Sequence, residues 1–374
     1  MIEVEIKIKI KDVDLLEEYL QKLGFSKGYL LEESDIYFDN LDHEIKKSDA
    51  ALRIRSSKNI TLNQEAHYLT FKGPKLDQIS NTRKEIEIQI EDGEKGKEIL
   101  QSLGYSRVYP VIKTRQYYHL NEITACLDQV ENLGAFLEME VMASSDCERE
   151  NALEQLFLLL QKLGYQPEEV VRTSYLSMLI SKRERFEQAL DKVKKKVDQL
   201  LCDKEQVIIA IDGRCASGKT TFTKALQQKL TCDAVHMDDF FLRPEQRTPE
   251  RRQTPGENVD HERFLEEVLL PYKVGEALSY RPFDCCTQKL QAPVDLVPGK
   301  VLIVEGAYSC HQSLYEHYDL HIFMDVKPDV QMERILSRNG AEQAKRFETM
   351  WIPLEERYLE TFGVKAKCEI VLEL

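Results

Sequence analysis

The sequence lacks the features that mark secreted, membrane-spanning and nucleic-acid-binding proteins. Its nine cysteines are an odd number with no CxxC, which favours free thiols in a reducing cytosol over a disulfide framework. No run approaches the ~20 apolar residues of a membrane span, and the N-terminal MIEVEIKIKIKD is too charged for a signal peptide. Lysine and arginine number 51 against 65 acids, so no excess positive field attracts nucleic acid. We therefore expect a cytoplasmic protein with no membrane or nucleic-acid partner, whose anions are bound in local pockets.

The length of 374 residues predicts two to three domains. A segment without glycine or proline, residues 182–204, divides the chain into predicted domains at 1–181 and 205–374. Its apolar residues alternate at spacings of four and three, which predicts one stripe on a helix. The stripe is Phe186, Leu190, Val193, Val197 and Leu200. Two heptads are too few for a coiled coil, so we interpret the segment as a connecting helix packed on one domain, with a homodimer as the alternative.

The first half repeats one pattern three times. A Glu-x-Glu on a strand-like run, beginning at Glu3, Glu85 and Glu138, precedes a helical stretch that ends in LQxLG and an aromatic residue. The glycines that end these stretches are predicted to adopt the left-handed conformation that closes a helix. They are Gly24, Gly104 and Gly164.

The strands of these repeats alternate with period two, so charged side chains share one face and apolar side chains the other. For one strand alone, a solvated face is the simpler interpretation. If helices cover the apolar face of several such strands, curling the sheet encloses the charged face in a barrel. A lumen with carboxylates and cations suits a polyphosphate and its metal, because carboxylates bind Mg²⁺ or Mn²⁺ and Lys or Arg bind phosphate.

These residues resemble the CYTH superfamily, the triphosphate tunnel metalloenzymes, over about residues 1–180. The motifs, in order, are ExExK from Glu3, DIYFD from Asp35, ALRIR from Ala51, TFKGP from Thr70, RKEIEI from Arg83 and LDQVENLGAFLEMEV from Leu127. The resemblance implies an α+β fold with an eight-stranded antiparallel tunnel. Its implied metal ligands are Glu3, Glu5, Asp128, Glu138 and Glu140, and its implied phosphate-binding residues are Lys7, Arg53, Arg55, Lys72, Arg83, Lys113 and Arg115, with Glu85 and Glu87 completing the acidic lining.

The nucleophile in such a tunnel decides the reaction. Water would make the domain a triphosphatase, whereas a ribose 3′-hydroxyl would make it an adenylyl cyclase; the LDQVENLGAFLEMEV stretch looks most like the cyclase-type branch. We expect hydrolysis of a triphosphate, assisted by the metal and by cations that neutralise the leaving phosphate. The alternatives are cyclisation and a non-catalytic polyphosphate or nucleotide sensor that regulates the second half.

The second half contains a phosphate loop. Residues 213–220 read GRCASGKT, a GxxxxGK[ST] pattern between an apolar run and a segment of helical spacing. The backbone N–H groups of such a loop face the β-phosphate, Lys219 reaches the β/γ oxygens and the Thr220 hydroxyl can hold Mg²⁺. A strand before and a helix after distinguish it from a chance glycine-rich turn. The predicted phosphate-binding residues are Gly213, Ser217, Gly218, Lys219, Thr220 and Thr221.

Two acids follow later strand-like runs. Residues 233–237 precede Asp238 and residues 301–304 precede Glu305, and ligands of open α/β sheets bind outside the carboxyl ends of the strands. Asp238 is therefore the candidate general base for an acceptor, and Glu305 the candidate metal-binding acid with Thr220. The alternative is that Asp238 only caps a helix or turn.

Residues 205–374 resemble the uridine kinase and phosphoribulokinase-like branch of P-loop kinases. The matching segments, in order, are AIDGRCASGKTT, HMDDFF, GENVDHERF, YRPFDC, VLIVEG and FMDVKPDVQMERILSRNG. The resemblance implies an α/β fold with a parallel sheet, with ATP as the phosphate donor and a small molecule as the acceptor. It implies that Asp238 and Lys219 lie at the reacting groups and that Arg338 lies in a lid. Arg334 and Arg346 could also close over the phosphates. Acceptor contacts are expected near Asp260, Tyr280, Arg281 and Asp284. The stretch HMDDFFLRPEQRTPERR replaces a shorter one in those enzymes, which leaves the acceptor open. Cys285 and Cys286 are interpreted as packing residues.

Together these patterns predict a bifunctional phosphate-handling enzyme. A metal-dependent tunnel would act on a triphosphate, and an ATP-dependent kinase would phosphorylate a nucleoside-like small molecule.

Overall fold

The structure is a computed structural model that describes residues 2–374. It divides into two compact units, of which the first ends at Arg183 and the second begins at Glu184. Among the described residues, no helix is both long and apolar enough to span a membrane.

Eight strands build the first unit. They are β1 Ile2–Lys9, β2 Ser26–Asp39, β3 Ala51–Asn59, β4 Gln64–Lys75, β5 Arg83–Ile90, β6 Ser106–Leu120, β7 Ile123–Val130 and β8 Gly134–Ala143. They close into a barrel of order β1-β5-β4-β3-β2-β6-β7-β8, in which each neighbouring pair is antiparallel and β8 also pairs with β1. The predicted eight-stranded antiparallel barrel is confirmed.

The helices of this unit follow the predicted repeats. They are α1 Val13–Lys22, α2 Glu44–Lys47, α3 Gly93–Ser102 and α4 Asp146–Lys162, followed by α5 Tyr175–Leu200, which continues into the second unit. Helices α1, α3 and α4 come directly after β1, β5 and β8, and the glycines that follow them have φ values of +93°, +91° and +87°. These are Gly24, Gly104 and Gly164, whose left-handed conformation ends each helix as predicted.

The period of two sorts the side chains of the barrel strands. On β1, Val4, Ile6 and Ile8 are buried in one apolar cluster with Leu20 of α1 and Leu160 of α4. The charged residues that alternate with them, Glu3, Glu5 and Lys7, line the lumen. Helices α1 and α4 remove the apolar face of β1 from water, which favours folding.

The second unit is built on a parallel sheet. Its strands are β9 Val207–Gly213, β10 Asp233–His236, β11 Leu278–Tyr280, β12 Phe283–Asp284, β13 Lys289–Leu290, β14 Val294–Leu296, β15 Val301–Glu305, β16 Leu320–Asp325 and β17 Ile370–Glu373. Five of them form a parallel sheet of order β10-β15-β9-β16-β17, and β11 with β14 and β12 with β13 form small antiparallel pairs. The predicted α/β fold with a parallel sheet is confirmed.

Helices pack on both faces of this sheet. The helices of this unit are α6 Lys219–Leu230, α7 Pro249–Gln253, α8 His261–Phe264, α9 Leu270–Lys273, α10 Pro328–Arg346, α11 Ile352–Phe362 and α12 Val364–Lys367. Alternate residues of β9 enter two different apolar clusters, Ile208 with Phe264 and Ile209 with Phe222. The carboxyl ends of the buried parallel strands lie along one edge, where ligands bind in such folds.

The apolar stripe of residues 182–204 lies on α5. Leu190, Val193 and Val197 are buried in the cluster that contains Ile209 and Phe222 of the second unit. The stripe therefore packs against the parallel sheet. One sequence interpretation is wrong: Cys285 and Cys286 are exposed, because they lie in the turn between β12 and β13.

Candidate active sites

The barrel encloses a charged cavity of about 860 Å³. It is lined by the predicted cations Lys7, Arg53, Arg55, Lys72, Arg83, Lys113 and Arg115 and by the predicted acids Glu3, Glu5, Glu85, Glu87, Glu138 and Glu140. Asp128, which was predicted with them, is buried and bonded to two of these cations. The fold thus brings the predicted set to one lumen, although it divides the set into separate groups.

Three of the five predicted metal ligands form one acidic group. Oxygen atoms of Glu3, Glu5 and Glu140 all lie within 4.8 Å of one another. Burial, together with Glu138, raises the pKa of Glu5 to about 7, and burial, together with Glu3, raises the pKa of Glu140 to about 8. Carboxylates that lie close together with too little positive charge nearby have raised pKa values. A bound divalent cation would neutralise their mutual repulsion.

Lys72 lies beside this group. Its Nζ is 2.8 Å from Oε2 of Glu3 and 2.8 Å from Oε2 of Glu85. Burial opposes ionisation of Glu3, but Lys72 outweighs it and lowers the pKa of Glu3 to about 2. Burial and a hydrogen bond that its protonated carboxyl donates to Glu3 raise the pKa of Glu85 to about 7. The two carboxyls therefore share one cation, with Glu3 as the ionised partner.

The other two predicted metal ligands lie among cations. Asp128 accepts hydrogen bonds from Lys113 at 2.9 Å and from Nε and Nη2 of Arg115, both at 2.6 Å. Glu138 contacts Arg115 directly and lies 3.6 Å from Lys7. Burial raises the pKa of Glu138, but Arg115 and the lysines lower it well below its usual range. The structure does not place Asp128 and Glu138 in the acidic group of Glu3, Glu5 and Glu140.

Tyr175 belongs to this basic cluster but was not predicted as a site residue. Its hydroxyl donates to Oδ2 of Asp128 at 3.0 Å, and the Nζ atoms of Lys7 and Lys113 lie 4.4 and 5.4 Å from its ring centroid. The signal was its position in the RTSYLSML segment that ends the family resemblance. The first residue of α5 thus contributes to the lumen.

A second buried ion-pair group was also missed. Asp35 accepts from Arg55 at 2.6 and 2.8 Å and from Arg53 at 3.1 Å, while Glu33 lies 3.3 Å from Arg55. The strand β2 shows alternating acids, Glu33 and Asp35, which is the same signal that identified the other strands. Their pairing with β3 required the register Asp35↔Arg55 that only the fold provides.

Arg83 lies apart from these groups, at the edge of the cavity. Its guanidinium donates to the carbonyl oxygens of Asp49 and Gly73 and lies 3.3 Å from the Asp49 carboxylate. Its position therefore depends on the turn that carries Asp49 just before β3 and on Gly73 within β4.

The predicted phosphate loop joins β9 to α6, the expected strand–loop–helix context. Lys219 donates to the carbonyl oxygens of Gly213 and Arg214 at 2.7 and 2.9 Å. The hydroxyl of Ser217 is buried and has no hydrogen-bond partner among the described residues. Gly218 has a φ of +97° at the start of α6, Thr220 is at its first turn, and Thr221 is exposed. An unpartnered buried hydroxyl in such a loop fits a bound phosphate.

The two predicted acids converge on this loop. Glu305 accepts from the Thr220 hydroxyl at 3.0 Å and lies 2.6 Å from Nδ1 of His236. Asp238 comes two residues after His236 and is exposed to solvent. Partial burial of the carboxyl raises the pKa of Asp238; Lys219 lowers it and Glu305 raises it further. Loop, metal-site candidate and base candidate thus lie at one edge of the sheet.

Helix α11 holds the first half of the loop, which the sequence did not predict. Oε2 of Glu355 accepts from the backbone N–H of Cys215 at 2.9 Å. Arg214 donates to both oxygens of Glu356, at 2.5 and 2.9 Å, and contacts Asp325. Burial, together with Glu355, raises the pKa of the Cys215 thiol to about 12.

Helix α10 completes this support. Gln331 donates to the carbonyl of Cys215 at 3.0 Å and Arg334 to that of Ala216 at 3.0 Å. Arg338 and Arg346 are instead exposed, and Arg338 donates to Asn339. The structure therefore brings Arg334 to the loop but does not bring the predicted lid residue Arg338 there.

The predicted acceptor-side residues lie on the segments beside Asp238. Asp260 is buried, caps α8 and accepts from Gln246 at 2.7 Å. Tyr280 is buried with its ring 5.2 Å from that of Phe240. Arg281 donates to the carbonyls of Gln291 and Leu290, and Asp284 accepts from the N–H groups of the following turn.

Family models and relatives match the two units separately. A model described as CYTH domain matches residues 1–175, and one described as Phosphoribulokinase / Uridine kinase family matches residues 208–355. The candidate adenylate cyclase MJ0240 of Methanocaldococcus jannaschii is 42% identical over 178 residues, 48% of this chain and 98% of its own. The uridine kinase of Shewanella piezotolerans is 30% identical over 173 residues, 42% of this chain and 78% of its own.

The structure of PH1819 protein from Pyrococcus horikoshii OT3 is also similar. It has 36% sequence identity, covers 48% of this chain and 99% of its own, and superimposes with a TM-score of 0.45. The two family models and the relatives from M. jannaschii and S. piezotolerans show that the chain belongs to the CYTH family through its first unit and to the phosphoribulokinase/uridine kinase family through its second.

Proposed function

We propose that the second unit transfers the γ-phosphoryl group of ATP to a hydroxyl of a nucleoside-like small molecule. The observation that carries this proposal is the convergence of a phosphate loop, the Thr220–Glu305 pair and the accessible carboxylate of Asp238 at one sheet edge. Phosphoryl transfer needs these parts and little covalent help from the protein.

The roles of the side chains follow from the chemistry. The loop N–H groups and Lys219 would hold the phosphates, and Lys219 would exchange its two loop carbonyls for phosphate oxygens. Thr220 and Glu305 would hold a Mg²⁺ ion, which neutralises phosphate charge when bound. The acceptor oxygen bonds to the γ-phosphorus as the bond to the β–γ bridging oxygen breaks. Asp238 takes the hydroxyl proton, and ADP leaves.

For the first unit we propose metal-dependent hydrolysis of a triphosphate in the lumen. The supporting observation is the separation of an acidic group, Glu3, Glu5 and Glu140, from clusters of buried lysines and arginines in one cavity. The acidic group would hold Mg²⁺ or Mn²⁺, and the cations would bind the phosphates and neutralise the charge of the leaving group. Cyclisation of ATP is the second candidate, favoured by the name of the M. jannaschii relative.

One experiment tests both halves. Wild type, Glu140→Gln and Lys219→Ala are incubated with Mg²⁺ or Mn²⁺ and with inorganic triphosphate, thiamine triphosphate or ATP. Released phosphate and cyclic AMP report on the tunnel, and labelled phosphoryl transfer to nucleosides and sugar derivatives reports on the kinase. We expect Glu140→Gln to lose only the first and Lys219→Ala only the second. A wild type that releases neither phosphate nor cyclic nucleotide, yet binds triphosphate, would make the tunnel a sensor.

A further inference from the structure

The stretch HMDDFFLRPEQRTPERR, residues 236–252, differs from the shorter one in uridine kinases. It contains Asp238, the candidate base, and continues into a loop. The loop leaves the bridge between Phe241 and Val259 and contains α7 between two turns. Asp238 lies three residues before this bridge. This loop is therefore close in the chain to the base candidate.

Arg247 of this loop is held in place without a counter-ion among the residues that the structure describes. Its Nε donates to the carbonyl of Leu242 at 2.9 Å, and its guanidinium lies 5.7 Å from the ring centroid of Phe283. It is half-buried, and no carboxylate of residues 2–374 lies within ion-pair distance of it.

The arginines around it are paired. Arg251 lies 3.1 Å from Glu257 and 2.6 Å from Glu262, and Arg263 lies 3.1 Å from Glu267. In a chain with a net charge of −14, a half-buried arginine without a carboxylate is unusual, because desolvation of its charge is not offset.

Arg247 and the turn that carries Asp238 both lie next to β12. Phe283, on which it packs, belongs to β12, and β12 contacts the turn Met237–Phe240 that carries Asp238. The exposed Cys285 follows β12. Desolvation raises the pKa of its thiol, Arg247 lowers it and Asp238 raises it, so Cys285 lies within electrostatic reach of both.

The remaining N–H groups of Arg247 form a planar fork that matches a carboxylate or a phosphate. We propose that Arg247 binds an anionic group of the kinase acceptor, so that the acceptor carries a carboxylate or phosphate in addition to the hydroxyl that is phosphorylated. This inference rests on the proposed kinase function. It distinguishes the acceptor from a neutral nucleoside.

The test is an acceptor panel with labelled ATP and the full chain. Neutral acceptors are uridine and ribose; phosphorylated ones are uridine monophosphate and ribose 5-phosphate; a carboxylated one is glycerate. We expect an anionic acceptor to be preferred in kcat/KM, with the phosphorylated and carboxylated arms identifying the group. Arg247→Ala should lower kcat/KM for it by about 10- to 100-fold, the loss typical of a hydrogen bond to a charged group, and Arg247→Lys should restore part of it.

Arg252→Ala is the matched control, because Arg252 is an exposed arginine of α7 in the same loop. Equal thermal unfolding of the variants separates lost recognition from lost folding. Preference for uridine or ribose with no effect of Arg247→Ala beyond that of Arg252→Ala overturns the inference but leaves the kinase intact. No transfer to any acceptor in the panel overturns both.

Discussion

Asp35→Asn tests whether the buried ion pairs of the lumen hold the barrel together. Asp35 is 2% exposed and accepts three hydrogen bonds, two from Arg55 and one from Arg53. The substitution keeps the shape of the side chain but leaves two buried guanidiniums short of one negative charge. Removing one partner of a buried pair costs about 3–5 kcal/mol. For a unit of this size, we expect the unfolding temperature to fall by roughly 6–20 °C.

Thermal unfolding followed by two probes measures this effect. Far-UV circular dichroism reports on both units, whereas fluorescence of Trp351, the single tryptophan of the chain, reports on the second unit. The barrel transition should move and the Trp351 transition should not. Asp42→Asn is the control, because Asp42 is exposed. A shift no larger than that of Asp42→Asn would refute the argument that Asp35 balances the two arginines.

The same group gives a signed pH dependence. Burial raises the pKa of Asp35, but Arg53 and Arg55 lower it far below its usual range. A carboxyl with a depressed folded-state pKa contributes stability above its unfolded pKa, about 3.9, and loses it as the pH falls toward the folded value. The stability difference between wild type and Asp35→Asn should therefore be constant near neutral pH and shrink below about pH 4. Urea unfolding at several pH values measures it, and a difference that grows on acidification would contradict this sign.

Three further predictions concern the two sites. Glu140→Gln should weaken Mg²⁺ or Mn²⁺ binding by at least about tenfold, because substituting even a residue that only hydrogen-bonds to a metal ligand lowers metal affinity by that factor. Titration of phosphate release with the metal measures this, with kinase activity as the control. Lys219→Ala should lower phosphoryl transfer by roughly 10²–10³-fold and leave triphosphate cleavage unchanged, and loss of both activities would show that the halves are coupled. Gly213→Ala should abolish ATP binding, measured by calorimetry, because its φ is +136° and an added Cβ would lie 2.0 Å from the carbonyl oxygen of Met324; Gly299→Ala, whose Cβ would meet nothing within 4 Å, should bind ATP normally.

The elements and the faces of the barrel were predictable because they depend on local patterns. Period-two alternation assigns a side chain to the lumen or to the covering helices, and a glycine after LQxL marks the end of a helix through its own conformation. The phosphate loop was predictable for the same reason, since its eight residues and the flanking strand and helix are contiguous in the chain.

The grouping of charges was not predictable, because it depends on which strands become neighbours. Periodicity places Glu138 and Glu140 in the same lumen, but only the closed barrel puts Glu140 with Glu3 and Glu5 while Glu138 contacts Arg115. The support of the phosphate loop by Glu355 likewise joins residues 140 positions apart. An arginine pattern on a helix could not distinguish Arg334, which reaches the loop, from the exposed Arg338.

The cysteine inside the phosphate loop has a consequence for chemical resistance. Thiolates, rather than thiols, react with alkylating agents and peroxides. Because burial and Glu355 raise its pKa to about 12, the Cys215 thiol stays protonated at physiological pH. The phosphate loop can thus contain a cysteine without becoming a site at which oxidation inactivates the protein.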